Sequence, residues 1–189
     1  MYKQPFPIIL ASKSPRRQEL LGAMDLDFKV LLKDVDESYP DGMEPAEIAV
    51  YISEKKAMAF VEEREKNLVI TADTIVAWNG QILGKPTGAA HAIEMLTNLS
   101  GTQHQVYTGV SLAHGDKLES FFDVTDVFFK EVTAAQIEYY VAKYNPFDKA
   151  GSYGVQDWIG MIAVQKIIGS YTNVMGLPTE KLLKALRDL

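Results

Sequence analysis

The chain has 189 residues, a length that suits one α/β domain, and its 47% hydrophobic and 23% charged residues are ordinary for a globular protein. No apolar stretch approaches the roughly 20 residues that span a bilayer, and the formal net charge of −6 argues against nonspecific nucleic-acid binding. The absence of cysteine excludes disulfides, thiolate zinc sites and cysteine nucleophiles, and because no signal-peptide pattern follows Lys3 we expect a soluble, cytoplasmic protein.

Hydrophobic spacing predicts strands and helices that alternate along the chain. In the first half of the chain the predicted elements are a strand at 8–11, a helix at 15–24, a strand at 28–32, a long helix at 45–66, and strands at 68–78 and 81–83. A helix at 89–99 and strands at 103–113 and 118–129 follow. The last elements are a helix from the capping box Thr133/Gln136 to Asn145-Pro146, short strands between 158 and 168, and a helix from about Thr179. Asn79-Gly80 predicts a tight hairpin. We therefore expect an α/β fold with a mixed β-sheet, formed by a single domain over residues 1–189.

The segment from Ser12 to Arg17 is the most informative part of the chain. It lies at the predicted start of the first helix, with Ser14 as the N-cap, where backbone N–H groups are unpaired and the helix dipole is positive. Arg16 and Arg17 add positive charge to this positive end, an arrangement that makes sense if an anion docks there. The two serines and two guanidinium groups would then form a cradle for phosphate oxygens. The alternative is that both arginines extend into water or pair with nearby acidic residues.

Three acidic residues, at two places in the chain, are candidate functional carboxylates. Asp73, followed by Thr74, interrupts an apolar run where an unpaired carboxylate is costly to bury. It is therefore a candidate general base or Mg²⁺ ligand, and the alternative is an aspartate that caps a turn at a strand end. Asp36 and Glu37 follow a predicted strand and offer a further metal-binding oxygen, although acidic residues are so common in exposed turns that the sequence alone favours solvent exposure.

Three lysines are candidate phosphate ligands. Lys55 and Lys56 both project toward the apolar side of the long helix, and periodicity does not choose between them. Ordinary snorkelling into solvent is the alternative for both. Lys85, fixed between Gly84 and Pro86 beyond the hairpin, offers a more rigidly placed positive charge.

Several familiar motifs do not occur. The sequence contains no G-x-x-x-x-G-K-[ST] phosphate loop, no G-x-G-x-x-G turn and no G-x-S-x-G nucleophile elbow. His91, His104 and His114 lack the H-E-x-x-H spacing, and scattered histidines of this kind are more often surface residues than zinc ligands.

Six spaced blocks resemble the Maf family of nucleoside triphosphate pyrophosphatases. They are LASKSPRRQELL at 10–21, ADTIV at 72–76, LGKP at 83–86, LSG at 99–101 with His104 and TGV at 108–110, DKAGSYGVQ at 148–156, and GSYTNVMGLP at 169–178. The resemblance implies a Maf/ITPase-like mixed α/β fold with two lobes around a substrate cleft. It also implies hydrolysis of a nucleoside triphosphate to the monophosphate and pyrophosphate, and use of a divalent cation, Mg²⁺ or Mn²⁺.

The resemblance also implies roles for particular residues. Asp73 would be the catalytic proton acceptor and, with Glu37, a metal ligand. The expected phosphate-binding residues are Ser12, Ser14, Arg16, Arg17, Lys56 and Lys85. The expected specificity residues are Arg16, Thr74 and Gln156, as in the branch that acts on dTTP and UTP. Asp157-Trp158 departs from the small, Gly-containing sequence that the family usually has there.

Two other functions stay open at this point. The family is associated with inhibition of septum formation and division arrest, so one alternative is a regulator that binds nucleotide without significant turnover, and a division-arrest role could also accompany catalysis. The other is an enzyme that prefers a modified purine triphosphate, which Gln156 disfavours because its amide suits a uracil or thymine edge. The expected partner is a nucleotide substrate, with no nucleic acid and no membrane, and homodimerisation is left open.

Overall fold

A computed structural model describes residues 4–189, and within this range a seven-stranded mixed β-sheet is flanked by helices. The strands are β1 (Ile8–Leu10), β2 (Phe28–Val30), β3 (Leu68–Trp78), β4 (Gln81–Leu83), β5 (Gln103–His114), β6 (Lys117–Phe129) and β7 (Val164–Ile168). The helices are α1 (Pro15–Gly22), α2 (Pro45–Met58), α3 (Ala89–Leu99), α4 (Ala134–Tyr144), α5 (Trp158–Ala163), α6 (Tyr171–Val174) and α7 (Thr179–Asp188). Two short 3₁₀ turns lie at Glu63–Glu65 and Ala150–Ser152.

The strand order is β2-β1-β3-β5-β6-β7, and β4 pairs with β3 outside this path. Strand β1 runs parallel to β2 and β3, whereas the remaining pairs are antiparallel, so the predicted mixed α/β sheet is confirmed. Strands β5 and β6 pair without interruption from Gln103↔Phe128 to His114↔Lys117. The predicted hairpin between β3 and β4 is also confirmed, with Asn79 and Gly80 at φ 47° and 74° as its two turn residues.

Strand β3 has a gap along one edge. On one side it pairs with β5 from residue 69 to residue 77. On the other side β1 covers residues 68–70 and β4 covers residues 76–78. Within the described chain, residues 71–75 therefore have no strand partner on that side, and Asp73 lies at the centre of the gap.

Helix α2 packs against β5 at very short range. Gly109 of β5 pairs with Asp73 of β3, and a Cβ built on Gly109 would lie 2.3 Å from the carbonyl carbon and oxygen of Ala49 in α2. The Ser53 hydroxyl, on the same helix, lies 2.7 Å from that of Ser111 on β5. Because glycine has no side chain, Gly109 permits the close approach of α2, which carries Lys56, to the sheet.

Two apolar layers cover the two faces of the sheet. On the face opposite α2, the larger core contains side chains from α1, α3, α4, α5 and α7, among them Leu21, Leu96, Tyr140, Ile159 and Leu182. On the α2 side, smaller clusters form around Phe60 and around Ile48 and Ile52. None of the described helices is long and apolar enough to cross a membrane.

The structure corrects two predicted elements. The helix predicted at 45–66 ends at Met58, because the chain tightens at Ala59 and then buries Phe60 against the sheet, with the Phe60 N–H donating to the Ala57 carbonyl. Residues 158–163 form helix α5 rather than strand, and only Val164–Ile168 is extended. Gly160 permits this helix, since a Cβ there would lie 2.1 Å from the Val155 carbonyl oxygen.

The expectation that the histidines lie on the surface is wrong for His104. Its side chain is only 2% exposed and packs edge-on against Phe129 and Tyr153. The imidazole Nε2 lies 2.7 Å from the Tyr153 hydroxyl, and burial lowers the pKa of His104 to about 4. The imidazole is therefore neutral at physiological pH.

Because the imidazole of His104 is buried, we expect the free energy of unfolding to fall in mild acid. Because the pKa is about 6.5 in the unfolded chain and about 4 in the folded one, the unfolded chain binds the proton more readily between these values. Stability should therefore fall as pH drops through this window, by about 2–3 kcal/mol from His104 alone. Denaturant unfolding of the wild type and of His104→Gln, each at pH 7.5 and pH 4.5, measures this difference. Equal losses in the two proteins would contradict it.

Candidate active site

A cavity of about 820 Å³ opens beside the gap in β3. Its walls come from the β1–α1 loop, the segment after β2, α2, the segment after β4, and residues 148–156 and 174–176. Eleven of its lining residues are charged. The cationic ones are Lys13, Arg16, Arg17, Lys33, Lys56, Lys85 and Lys149. The carboxylates are Asp34, Glu37, Asp73 and Asp148. A chain with a net charge of −6 thus concentrates a positive excess in one cleft, as a polyanionic ligand requires.

At the centre of the cavity one ammonium group joins two carboxylates. The Lys56 Nζ lies 2.7 Å from an Asp73 oxygen and 2.8 Å from a Glu37 oxygen, and the Lys85 Nζ lies 3.6 Å from the other Glu37 oxygen. Burial raises the pKa of the Glu37 carboxyl, but the hydrogen bonds and positive charges of Lys56 and Lys85 outweigh burial and hold the pKa below its usual value. Both carboxylates are therefore held next to positive charge.

The structure distinguishes the two neighbouring lysines of α2. Lys56 faces the cavity and is 15% exposed. Lys55 instead donates to an Asp36 carboxylate oxygen and to the Ser38 carbonyl, and neither Lys55 nor Asp36 lines the cavity. Of the lysines between which the periodicity could not choose, Lys56 is thus the one in the cavity. Asp36, offered from the sequence as a further ligand, lies outside it.

The two convergent carboxylates suit a hard divalent cation. One oxygen of Asp73 and one of Glu37 contact the same ammonium nitrogen, so the two carboxylates already share one cationic position. No cluster of three or more His, Cys, Asp or Glu side chains with metal-binding geometry occurs in residues 4–189. One or two carboxylates, completed by substrate phosphate oxygens, are the usual ligands of Mg²⁺. The residues present therefore fit a cation that binds together with a phosphate-bearing ligand.

Arg17 joins three segments around the cavity. Its guanidinium donates to the Gly176 carbonyl at 2.8 Å, to the Thr74 hydroxyl at 2.9 Å and to the Ser12 hydroxyl at 3.4 Å. Burial lowers the pKa of Arg17, although the nearby Asp73 charge raises it. Three of its five N–H groups are used within the protein, which fixes the plane of the guanidinium and leaves two for a ligand.

The Thr74 hydroxyl both donates and accepts a hydrogen bond inside the protein. The Thr108 hydroxyl donates to the Asn173 carbonyl at 3.0 Å, so the Thr74 hydroxyl, 3.0 Å away, donates to Thr108. The Thr74 oxygen also accepts from Arg17. Thr74 therefore stabilises the cavity wall and the arginine, and its O–H proton is already used within the protein rather than offered to a ligand.

On the opposite wall, charged groups from residues 148–157 contact the first turn of α1. The Arg16 guanidinium donates to one Asp148 oxygen at 3.2 Å, and the Lys149 ammonium donates to the other at 2.8 Å. Gln156 also lines the cavity, and its amide oxygen is buried without a hydrogen-bond partner among the described residues. A buried acceptor of this kind is costly unless a bound group donates to it.

Residues 7–189 match the Maf family, described as Maf-like protein. The chain belongs to the Maf family. A Bacteroides fragilis protein named dTTP/UTP pyrophosphatase is 51% identical to this Maf chain over 186 residues, which covers 97% of this chain and 96% of the relative. A Cytophaga hutchinsonii protein of the same name is 44% identical over 182 residues, which covers 96% of this chain and 84% of the relative.

Solved structures show the same fold at low identity. A Staphylococcus aureus Ham1 protein matches this Maf chain with a TM-score of 0.52 at 18% identity, covering 96% of this chain and 98% of its own. A Coxiella burnetii HAM1 protein matches with a TM-score of 0.50 at 14% identity, covering 97% and 100%. These likenesses confirm the predicted fold class.

In this Maf chain the predicted site residues converge. All of them line the same cavity. They are Ser12, Ser14, Arg16, Arg17, Glu37, Lys56, Asp73, Thr74, Lys85 and Gln156. Their individual roles stay predictions. Sequence reasoning missed Asp148 and Lys149, although both stand in the DKAGSYGVQ block, because nothing in local spacing shows that they contact Arg16. It also gave no role to Asp157, which contacts Lys149.

Proposed function

We propose that this Maf chain hydrolyses dTTP and UTP to the monophosphate and pyrophosphate, as a single domain. The observation that carries the proposal is the placement of Asp73 beside Lys56 in a cation-rich cavity. Relatives that are 43–51% identical over nearly the full chain and are named dTTP/UTP pyrophosphatase support the same activity. Such an enzyme would limit the incorporation of unwanted or modified nucleotides, and its substrates belong to the cytoplasm.

The triphosphate binds against the cationic side of the cavity. Arg16, Lys56 and Lys85 approach from three different elements, so they neutralise charge on several phosphate oxygens at once. Two groups add further donors. The two remaining N–H groups of Arg17 are charged donors, and the backbone N–H groups at the start of α1 are neutral ones. Ser12 and Ser14 form the adjoining loop, in which the Ser14 N–H donates to the Ser12 hydroxyl at 3.2 Å.

Asp73 acts as the proton acceptor. It orients a water molecule and takes its proton as the water oxygen bonds to the α-phosphorus. The bond from that phosphorus to the oxygen bridging the α and β phosphates breaks, and pyrophosphate leaves with the bridging oxygen. When bound, a Mg²⁺ or Mn²⁺ ion supplies charge neutralisation on the phosphate oxygens, with Asp73 and Glu37 as the residues that would hold it. Positioning and charge neutralisation by these groups supply most of the rate.

Base recognition falls to Gln156 and Arg16. The Gln156 amide oxygen, which has no partner among residues 4–189, accepts from the N3–H of uracil or thymine, and its amide N–H₂ donates to a neighbouring carbonyl. Cytosine lacks that N–H and pairs less well. Thr74 contributes indirectly, since its hydroxyl holds Arg17 and is itself used by Thr108.

Removal of the Lys56 ammonium should impair turnover strongly. Lys56→Met is expected to lower kcat/KM for dTTP by between about tenfold and a hundredfold, because one charge-assisted hydrogen bond contributes roughly 1.5–3 kcal/mol. The adjacent Lys55→Met is the matched control, since that ammonium contacts Asp36 and Ser38 outside the cavity. Steady-state pyrophosphate release measures both. Equal effects of the two substitutions would contradict the assignment of Lys56.

A substrate panel tests the proposed function. The purified protein is offered dTTP, UTP, CTP, GTP and 7-methyl-GTP separately, with Mg²⁺ or Mn²⁺, and pyrophosphate is measured. We expect the highest kcat/KM for dTTP and UTP. Binding of nucleotide without release of pyrophosphate would favour the regulatory alternative, and a preference for 7-methyl-GTP would favour the modified-purine alternative.

A further inference from the structure

A continuous series of polar contacts runs from the core to the cavity wall. The buried Tyr140 of α4 donates its hydroxyl to an Asp157 carboxylate oxygen at 2.8 Å. The same oxygen lies 3.6 Å from the Lys149 ammonium. Lys149 in turn donates to Asp148, whose second oxygen accepts from Arg16. Opposite charges therefore alternate from Asp157 to Arg16, and Asp157 is the member that does not line the cavity.

The Asp157 carboxylate is folded back over Gly154. A Cβ built on Gly154 would lie 2.7 Å and 3.0 Å from the two Asp157 oxygens and 2.8 Å from the carboxyl carbon between them. The Asp157 backbone N–H donates to the Gly154 carbonyl at 3.0 Å, which closes a turn over residues 154–157. Gln156 occupies this turn, so the position of its side chain depends on the same contacts.

Asp157 also holds the charge on Lys149 in place. The side chains of Asp157 and Lys149 are 18% and 13% exposed, so water screens their interaction only partly. Without the Asp157 charge, Lys149 would pair with Asp148 alone and compete with Arg16 for that carboxylate. A change at Asp157 would thus alter the cavity at two points, Gln156 and Arg16.

We propose that Asp157 is a positioning residue for nucleotide recognition, which acts through Gln156 and through Lys149, Asp148 and Arg16. This inference rests on the proposed function and deepens it, since it concerns binding of the same pyrimidine nucleotides.

Asp157→Asn tests the proposal. The KM for dTTP and UTP should rise about tenfold, the factor that corresponds to one lost charge-assisted hydrogen bond, while kcat changes less than about threefold. Asp157→Glu restores the charge and should return KM to within about threefold of the wild type. Tyr139→Phe is the matched control, because that hydroxyl contacts Lys143 on the surface of the same helix as Tyr140. An unchanged KM in Asp157→Asn overturns the proposal.

A second pair of variants separates positioning from general loss of structure. Gly154→Ala should displace the carboxylate and raise KM, because the added methyl group meets Asp157 first. In the Asp157→Gly background, which removes that carboxylate, the same alanine should leave KM unchanged. If Gly154→Ala raises KM equally in both backgrounds, the effect does not pass through Asp157 and the proposal fails.

Binding measurements separate this inference from the proposed function. Calorimetry with α,β-methylene-UTP, in which the bond to be cleaved is blocked, gives Kd for each variant without turnover. A wild type that binds the analogue but releases no pyrophosphate from UTP contradicts the proposed function. In that case the inference stands if Asp157→Asn raises the Kd for the analogue about tenfold, and it fails if the Kd is unchanged. A wild type that does not bind overturns both.

Discussion

Asp73→Asn is expected to lower kcat for pyrophosphate release about a thousandfold, within the range that a general base contributes. Asparagine has nearly the same shape, but its amide does not accept the proton of the attacking water and does not replace the carboxylate beside Lys56. The free energy of unfolding should change little, because Lys56 keeps its contact with Glu37. Single-turnover measurements with saturating dTTP, combined with thermal unfolding, test both parts.

The control for this substitution is Asp123→Asn. Asp123 is also a poorly exposed aspartate of the sheet, and it pairs with Lys181 at 2.7 Å, away from the cavity lining. It should keep kcat within about twofold of the wild type. A folded Asp73→Asn protein with near-wild-type turnover would remove Asp73 from its role and would leave the cavity as a binding site only.

Gly109→Ala should be the most damaging small substitution for stability. The added Cβ would lie 2.3 Å from the backbone carbonyl of Ala49, and a backbone group does not rotate away as the end of a side chain does. Helix α2 must therefore move off the sheet, at a cost of about 3 kcal/mol and a fall in Tm of about 6–12 °C. Because α2 carries Lys56, the contact with Asp73 should weaken as well, and kcat per folded molecule should fall.

Gly22→Ala is the matched control. Gly22 is the last residue of α1, and among residues 4–189 outside its own helix the nearest atom to a Cβ there would be one of the Phe28 ring, at 4.0 Å. This alanine should change the free energy of unfolding by no more than about 1 kcal/mol, in the stabilising direction, because alanine favours helix. Calorimetric Tm values for both variants test the comparison. A Gly109→Ala protein as stable as Gly22→Ala would show that α2 does not need its close approach.

The local features of this chain could be predicted because each has a local cause. The apolar run of β3 and the Asn79-Gly80 dipeptide fix a strand and its hairpin through neighbouring residues alone. Arg16 and Arg17 attracted attention because they oppose the dipole of a helix start, which is again a property of one short segment. The structure places the two arginines and residues 73–76 of β3 in one cavity, as the family resemblance implied.

The remaining features depend on contacts between distant segments. The choice between Lys55 and Lys56 is made by Asp73 and Glu37, which come from a strand and a loop outside α2, so the helical pattern does not contain it. Asp148 meets Arg16 across a separation of 132 residues. Residues 158–163 have an apolar pattern that suits a short strand, but the absence of a side chain at Gly160 permits a helix against Val155. Periodicity contains no information about such pairings.

The unbroken pairing of β5 with β6 limits how the enzyme can move. Strand β3, which lines the binding cleft, forms one continuous sheet with β5 and β6. Hinge closure of the kind found in enzymes with separate domains would require this sheet to bend along its length. Entry of substrate and release of product should therefore depend on rotation of long side chains at the mouth, such as Lys13 and Lys85, and on the ion pair of Arg16.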